Sequence, residues 1–110
     1  MISDRLQLLI EAIETRTNEW GGEEKSALFK ACEMGGEAGE VLNEVKKLER
    51  ARMGMKGGKE GLSDLADEIG DVIISTLILA DHYGLDVVAC AALKFNKTSA
   101  KHGFKTRVEV

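Results

Sequence analysis

The chain has no proline, only two cysteines, and aromatic residues amounting to 5% of its length. Without proline nothing in the sequence interrupts long helices. With so few aromatics, the core must be built from Leu, Ile, Val and Ala. Cys32 and Cys90 lie far apart, each within an apolar helical pattern, which predicts buried, reduced thiols and a reducing compartment rather than a disulfide or a thiolate metal site. The longest apolar stretch, Val72 to Ala80, falls short of the roughly 20 residues that span a bilayer, and no basic segment leading into an apolar run opens the chain. The expectation is a cytoplasmic protein with no membrane partner. A formal charge of −4 also argues against nucleic acid as a partner, because duplex binding calls for a basic face.

What is present is a globular composition, 44% hydrophobic and 31% charged, in 110 residues. That length suits one all-α domain spanning residues 1–110. Ile2, Leu6, Leu9, Ile10, Ile13 and Trp20 recur at helical spacing, predicting a first helix over residues 3–20 with Ser3 as N-cap and Gly21-Gly22 as its end. A second helix is expected over residues 23–52, with Ala31, Met34, Ala38, Val41, Leu42, Val45 and Leu48 on its core side. Residues 53–61, with four glycines and two lysines, read as a mobile loop.

Ser63 or Asp64 can cap a third helix that runs to about Tyr83 and stops at Gly84. It is apolar nearly all round from Leu65, with Ile69, Val72, Ile73, Ile74, Leu77, Ile78 and Leu79, so it should be buried on several sides. A fourth helix over residues 85–101 points Leu85, Val88, Ala92 and Phe95 toward the core. Three short neighbours cannot cover so apolar a helix, so the expected architecture is a four-helix bundle assembled into a homodimer or homotetramer.

The acids carry the chemistry. Glu33, Glu37, Glu40 and Glu44 are spaced by four, three and four residues, which places them within about 60° of one stripe on the second helix. On the third helix Asp64, Glu68 and Asp71 align in the same way, with Asp67 about 60° to one side. A solvated acidic face explains one such stripe. It does not explain acids on a helix that is otherwise apolar, since unpaired buried carboxylates are costly and the third helix carries no lysine or arginine to neutralise them. A divalent cation shared by the two stripes satisfies both. Oxygen-only donors select Mg²⁺, with Mn²⁺ able to substitute. The absence of any Glu-x-x-His argues against an oxygen-activating di-iron bundle.

A separate basic segment follows: Lys94, Lys97, Lys101, Lys105 and Arg107, with no acid among them. Gly35, Gly36 and Gly39 interleave with the acids of the second helix, although each helical glycine costs roughly 1 kcal/mol relative to alanine. Close helix approach, room for metal and phosphate, or a local kink would each account for them.

Glu37-Ala-Gly-Glu40-Val, followed after a long gap by Glu68-Ile-Gly-Asp71-Val-Ile, resembles the ExxE…ExxD signature of the MazG-like all-α nucleoside triphosphate pyrophosphohydrolases. The similarity runs from about Trp20 to Gly103. It implies a bundle of that family's type, with Glu37, Glu40, Glu68 and Asp71 as Mg²⁺ ligands. It also implies that Lys94, Asn96, Lys97, Thr98 and Lys101 contact the nucleotide and that Trp20 stacks on the base, although Trp20 at a helix end also fits a core cap.

Two positions depart from the pattern. Many relatives carry Asn four residues after the lysine, where this chain has Thr98. Gly36 stands where relatives often have Glu immediately before the first ligand, leaving Glu33, one turn before Glu37, to activate water. The catalytic set implied is then Glu33, Glu37 and Glu40. The resemblance implies hydrolysis of a (d)NTP between the α and β phosphates, giving a monophosphate and pyrophosphate. Phosphoribosyl-ATP is the alternative substrate, and a non-catalytic, metal-stabilised helical oligomer or binding module is the alternative of a different class.

Overall fold

Four segments of the sequence carry helical periodicity, and four helices form. The computed structural model describes residues 4–21 and 24–109, and within them α1 spans Asp4–Glu19, α2 Ala27–Arg52, α3 Ser63–His82 and α4 Val87–Lys101, with no strand. Ser3, the expected cap of α1, lies outside the described residues, as do Ile2, Gly22 and Glu23.

Local chemistry sets the boundaries. The α1 helix ends at Gly21, whose φ of +99° lies in the left-handed region that glycine tolerates without strain. The α2 helix begins at Ala27, later than its periodicity alone predicts, because the Ser26 hydroxyl accepts the backbone N–H of Phe29 at 3.1 Å and thereby fixes Ser26 as N-cap. In the same way Asp86 accepts the N–H groups of Val88 and Ala89, which starts α4 at Val87.

The chain divides into two compact units, one of residues 24–79 and the other of residues 1–23 and 80–110. The first unit contains α2, the connecting loop and most of α3. Its loop is tied down, against the expectation of mobility. Met55 N–H donates to Arg50 O at 2.8 Å and Lys59 N–H to Lys47 O at 3.1 Å, so residues 55–59 fold back along the end of α2.

Side-chain burial in this unit departs from the expected core. Leu77 is buried, but Leu42, Val45, Ile69 and Ile73 are exposed. Periodicity correctly grouped these residues by face. It did not show which of these positions stay exposed.

The second unit contains α1, the end of α3, α4 and the tail. Ile13 and Ala92 are its buried apolar residues, whereas Leu85, Val88 and Phe95, expected to point inward, are exposed. The tail returns along α4: Phe104 N–H donates to Ser99 O, and the Asn96 side chain bonds both the N–H and the C=O of Val108 at 2.8 and 2.7 Å.

Both cysteines are free, as expected, but exposed rather than buried. Cys32 sits on α2 and Cys90 on α4. No single described helix is long and apolar enough to cross a membrane.

Candidate metal centre

The two acidic stripes meet inside the 24–79 unit. Glu37 on α2 and Glu68 and Asp71 on α3 each direct a carboxylate oxygen to a common point, with the three ligand atoms within 4.8 Å of one another. Glu37 and Glu68 are half-buried and Asp71 is exposed, so the cluster opens to solvent on the Asp71 side. Among the described residues, none of the ion pairs reaches these three acids.

Their electrostatics reflect that isolation. Burial, then the charges of Asp71, Glu40 and Glu33, raise the pKa of Glu37 above the usual carboxylate value. Burial raises Glu68 as well, followed by the charges of Asp71, Glu40, Glu37 and Glu44. Like charges held this close favour proton uptake or a shared cation. Three hard oxygen donors from two rigid helices, with an open side for water or substrate, fit a divalent ion of the Mg²⁺ or Mn²⁺ type.

Of the four acids the resemblance implies as ligands, three converge. Glu40 adds its repulsion to Glu37 and Glu68 but does not join the group whose oxygens meet. Glu33 stands one turn before Glu37, close enough to contribute to its shift. A Cβ placed on Gly35, Gly36 or Gly39 would meet nothing within 4 Å, so close helix approach within the chain does not account for these glycines.

The far end of the same seam is neutralised from within. Glu44, two turns after Glu37, is only 8% exposed and accepts Lys47 Nζ at 3.2 Å and Lys59 Nζ at 3.4 Å. Lys59 also donates to Asp64 Oδ2 at 2.5 Å, joining α2 to the start of α3. The pair shifts as an ion pair should: the hydrogen bond to Asp64 raises Lys59, and the same bond holds Asp64 below its usual value.

Lys59 was invisible to helical periodicity because it lies in the glycine-rich loop. The only signal was its position five residues before Asp64. Thus a cation that the third helix does not itself carry reaches the Glu44 end of the seam from the loop, whereas among the described residues no ion pair reaches the Glu37 end.

The residues expected to hold a nucleotide belong to the other compact unit. Lys94, Lys97, Thr98 and Lys101 lie exposed on α4. Asn96 is held by the tail, its amide donating to Val108 O and accepting from Val108 N–H, which leaves one N–H and one lone pair for other partners. Trp20 is 77% exposed, which excludes the core-cap alternative within the chain, and the Arg16 guanidinium carbon lies 5.0 Å from its ring centroid.

No protein-family model, curated protein or solved structure matches the chain.

Proposed function

We propose that this protein is a divalent-metal-dependent hydrolase of nucleoside or deoxynucleoside triphosphates, cleaving between the α and β phosphates to release pyrophosphate. The observation that carries the reading is the convergence of Glu37, Glu68 and Asp71 from two helices. Its motif context, resembling that of the MazG-like pyrophosphohydrolases, supports the choice of substrate class. The three carboxylates would hold a Mg²⁺ ion that, when bound, neutralises phosphate charge and polarises the α phosphoryl group.

The chain's own residues supply the rest. Glu33 accepts a proton from the attacking water, a role open to it because Gly36 carries no side chain. Glu40 deepens the negative field at Glu37 and Glu68 and so raises the affinity for a cation. The resemblance, not the geometry, assigns the β and γ phosphates to Lys94, Lys97 and Lys101, exposed on α4, and the base to Trp20, an exposed ring.

The reading includes a homo-oligomer. Leu42 and Val45 on α2 and Ile69 and Ile73 on α3 are exposed in the single chain, and on each helix they lie on the face turned away from the carboxylate stripe. A second copy covering these residues would bury them without closing the metal centre.

Pyrophosphate release is the direct test, measured across canonical and damaged NTPs and dNTPs and phosphoribosyl-ATP, with Mg²⁺ and with EDTA. Mg²⁺-dependent release from a nucleoside triphosphate is the expected result. Release from phosphoribosyl-ATP alone would move the substrate class. A melting temperature that rises with Mg²⁺, with no release from any compound, would leave a metal-stabilised scaffold in place of an enzyme.

A further inference from the structure

We propose that Lys59 is a built-in counter-ion that sets the divalent-cation affinity of the Glu37–Glu68–Asp71 centre by neutralising the opposite end of the same carboxylate seam. The inference rests on the metal reading given above. Three independent features place the ammonium where it acts. The Lys59 N–H bonds Lys47 O, which fixes its backbone against α2. Gly58 packs so closely on α2 that a Cβ there would lie 2.5 Å from Ala51 N, so the loop reaches its position only with glycine before Lys59. The side chain then spans from Glu44 on α2 to Asp64 on α3.

The charge at that end reaches the centre. Asp64 is one turn before Glu68 on α3, Glu44 is one turn after Glu40 on α2, and the Glu44 carboxylate contributes to the repulsion felt by Glu68. With Lys59 present, it and Lys47 together balance the negative charges of Glu44 and Asp64. Without it, Lys47 still faces Glu44, and one uncompensated carboxylate charge lends its field to a cation at the triad. Lys59 is therefore a positioning and tuning residue that acts through Glu44 and Asp64 and needs no contact with metal or substrate.

A simple tether makes the opposite prediction. If Lys59 served only to hold the loop and the two helices together, its loss would loosen the seam and weaken cation binding. The sign of the change separates the two roles.

The experiment titrates metal-free protein with Mn²⁺ at low ionic strength and follows free Mn²⁺ by electron paramagnetic resonance, with helical circular dichroism as the check on folding. Lys59→Met and Lys59→Gln should bind Mn²⁺ roughly three- to tenfold more tightly than the wild type, as expected for one charge removed near a divalent ion, with the gain shrinking as salt is added. Lys59→Arg should bind like the wild type. Asp64→Asn, which keeps the lysine and removes an acid, should bind more weakly, so the proposal can be read even where Lys59 variants fold poorly.

Wild-type or weaker affinity in both Lys59→Met and Lys59→Gln overturns the role of Lys59 and leaves the metal centre standing. Absence of Mn²⁺ binding in the wild type and all variants overturns the metal centre itself, and the counter-ion role with it.

Discussion

Gly58 lies against the backbone of Ala51 so closely that any side chain at position 58 would collide with the last turns of α2. A Cβ there would sit 2.5 Å from Ala51 N and 2.7 Å from its Cα, both backbone atoms that cannot swing aside. The contact fixes the loop and, through the next residue, Lys59. Gly58→Ala should therefore cost about 1–3 kcal/mol, the range for overpacking at a fixed site, and release the Lys59 bridge. Thermal unfolding checks it. A Gly58→Ala chain that melts with the wild type would mean the loop moves away without loss.

Acidification should stabilise the metal-free chain before it destabilises it. Glu37 and Glu68 have folded pKa values above 4.5, so between 4.5 and their raised values the folded chain binds more protons than the unfolded one. Stability from this source grows as pH falls through that window. Asp64 is the opposite case: its folded pKa lies below 3.8, and the stability it gives is present above 3.8 and lost as pH falls through the folded value. In EDTA the melting temperature should rise as pH falls through the raised Glu37 and Glu68 values toward 4.5, and fall below pH 3.8. Saturating Mg²⁺ should flatten the upper limb, because the ion requires deprotonated ligands. A melting temperature in EDTA that declines steadily from neutral pH down to pH 4.5 would contradict the clustered-acid picture.

Gly35 should be replaceable at a gain. It sits inside α2, and a Cβ there meets nothing within 4 Å. Alanine removes the backbone freedom of glycine from the unfolded chain, so Gly35→Ala should raise stability by roughly 0.5–1 kcal/mol. If the purified assembly instead loses stability or dissociates, the space beside Gly35 is filled by a second copy, and gel filtration of the variant distinguishes the two outcomes.

How much of this was legible in the sequence follows from what periodicity can encode. Stripes at positions 37, 40 and 44 and at 64, 68 and 71 identified two acidic faces, and the ends of α1 and α3 at Gly21 and Gly84 followed from glycine's access to positive φ. Periodicity says which side chains share a face but not what the face meets. Leu42, Val45, Ile69 and Phe95 were therefore expected inside and lie exposed. The Ser26 cap was masked by helix-compatible residues before it. Lys59 and the Asn96–Val108 pairing depend on chain reversals of 15 and 12 residues, which no local pattern records.

The roles of Glu33 and the triad acids divide cleanly by what their removal changes. Glu68→Gln or Asp71→Asn takes a ligand oxygen from the centre, so Mn²⁺ affinity and turnover should fall together while the metal-free chain melts at or above the wild-type temperature through relief of repulsion. Glu33 lies outside the converging group but near Glu37, so Glu33→Gln should weaken Mn²⁺ binding only by the few-fold expected of one nearby charge, less than the loss of a ligand oxygen, and at saturating Mn²⁺ lower kcat by about 10²-fold or more, as removal of a general base does. The position that departs from the common motif then offers a rescue. Gly36 has open space where a Cβ would go, so Gly36→Glu introduces a carboxylate beside Glu37 without a clash. In the Glu33→Gln background that substitution should restore part of the lost kcat. Gly36→Ala in that background is the control, because it removes the glycine from α2 without adding a carboxylate. Unaltered kcat in Glu33→Gln would take Glu33 out of the mechanism, and equal recovery by Gly36→Ala and Gly36→Glu would assign the rescue to helix stability.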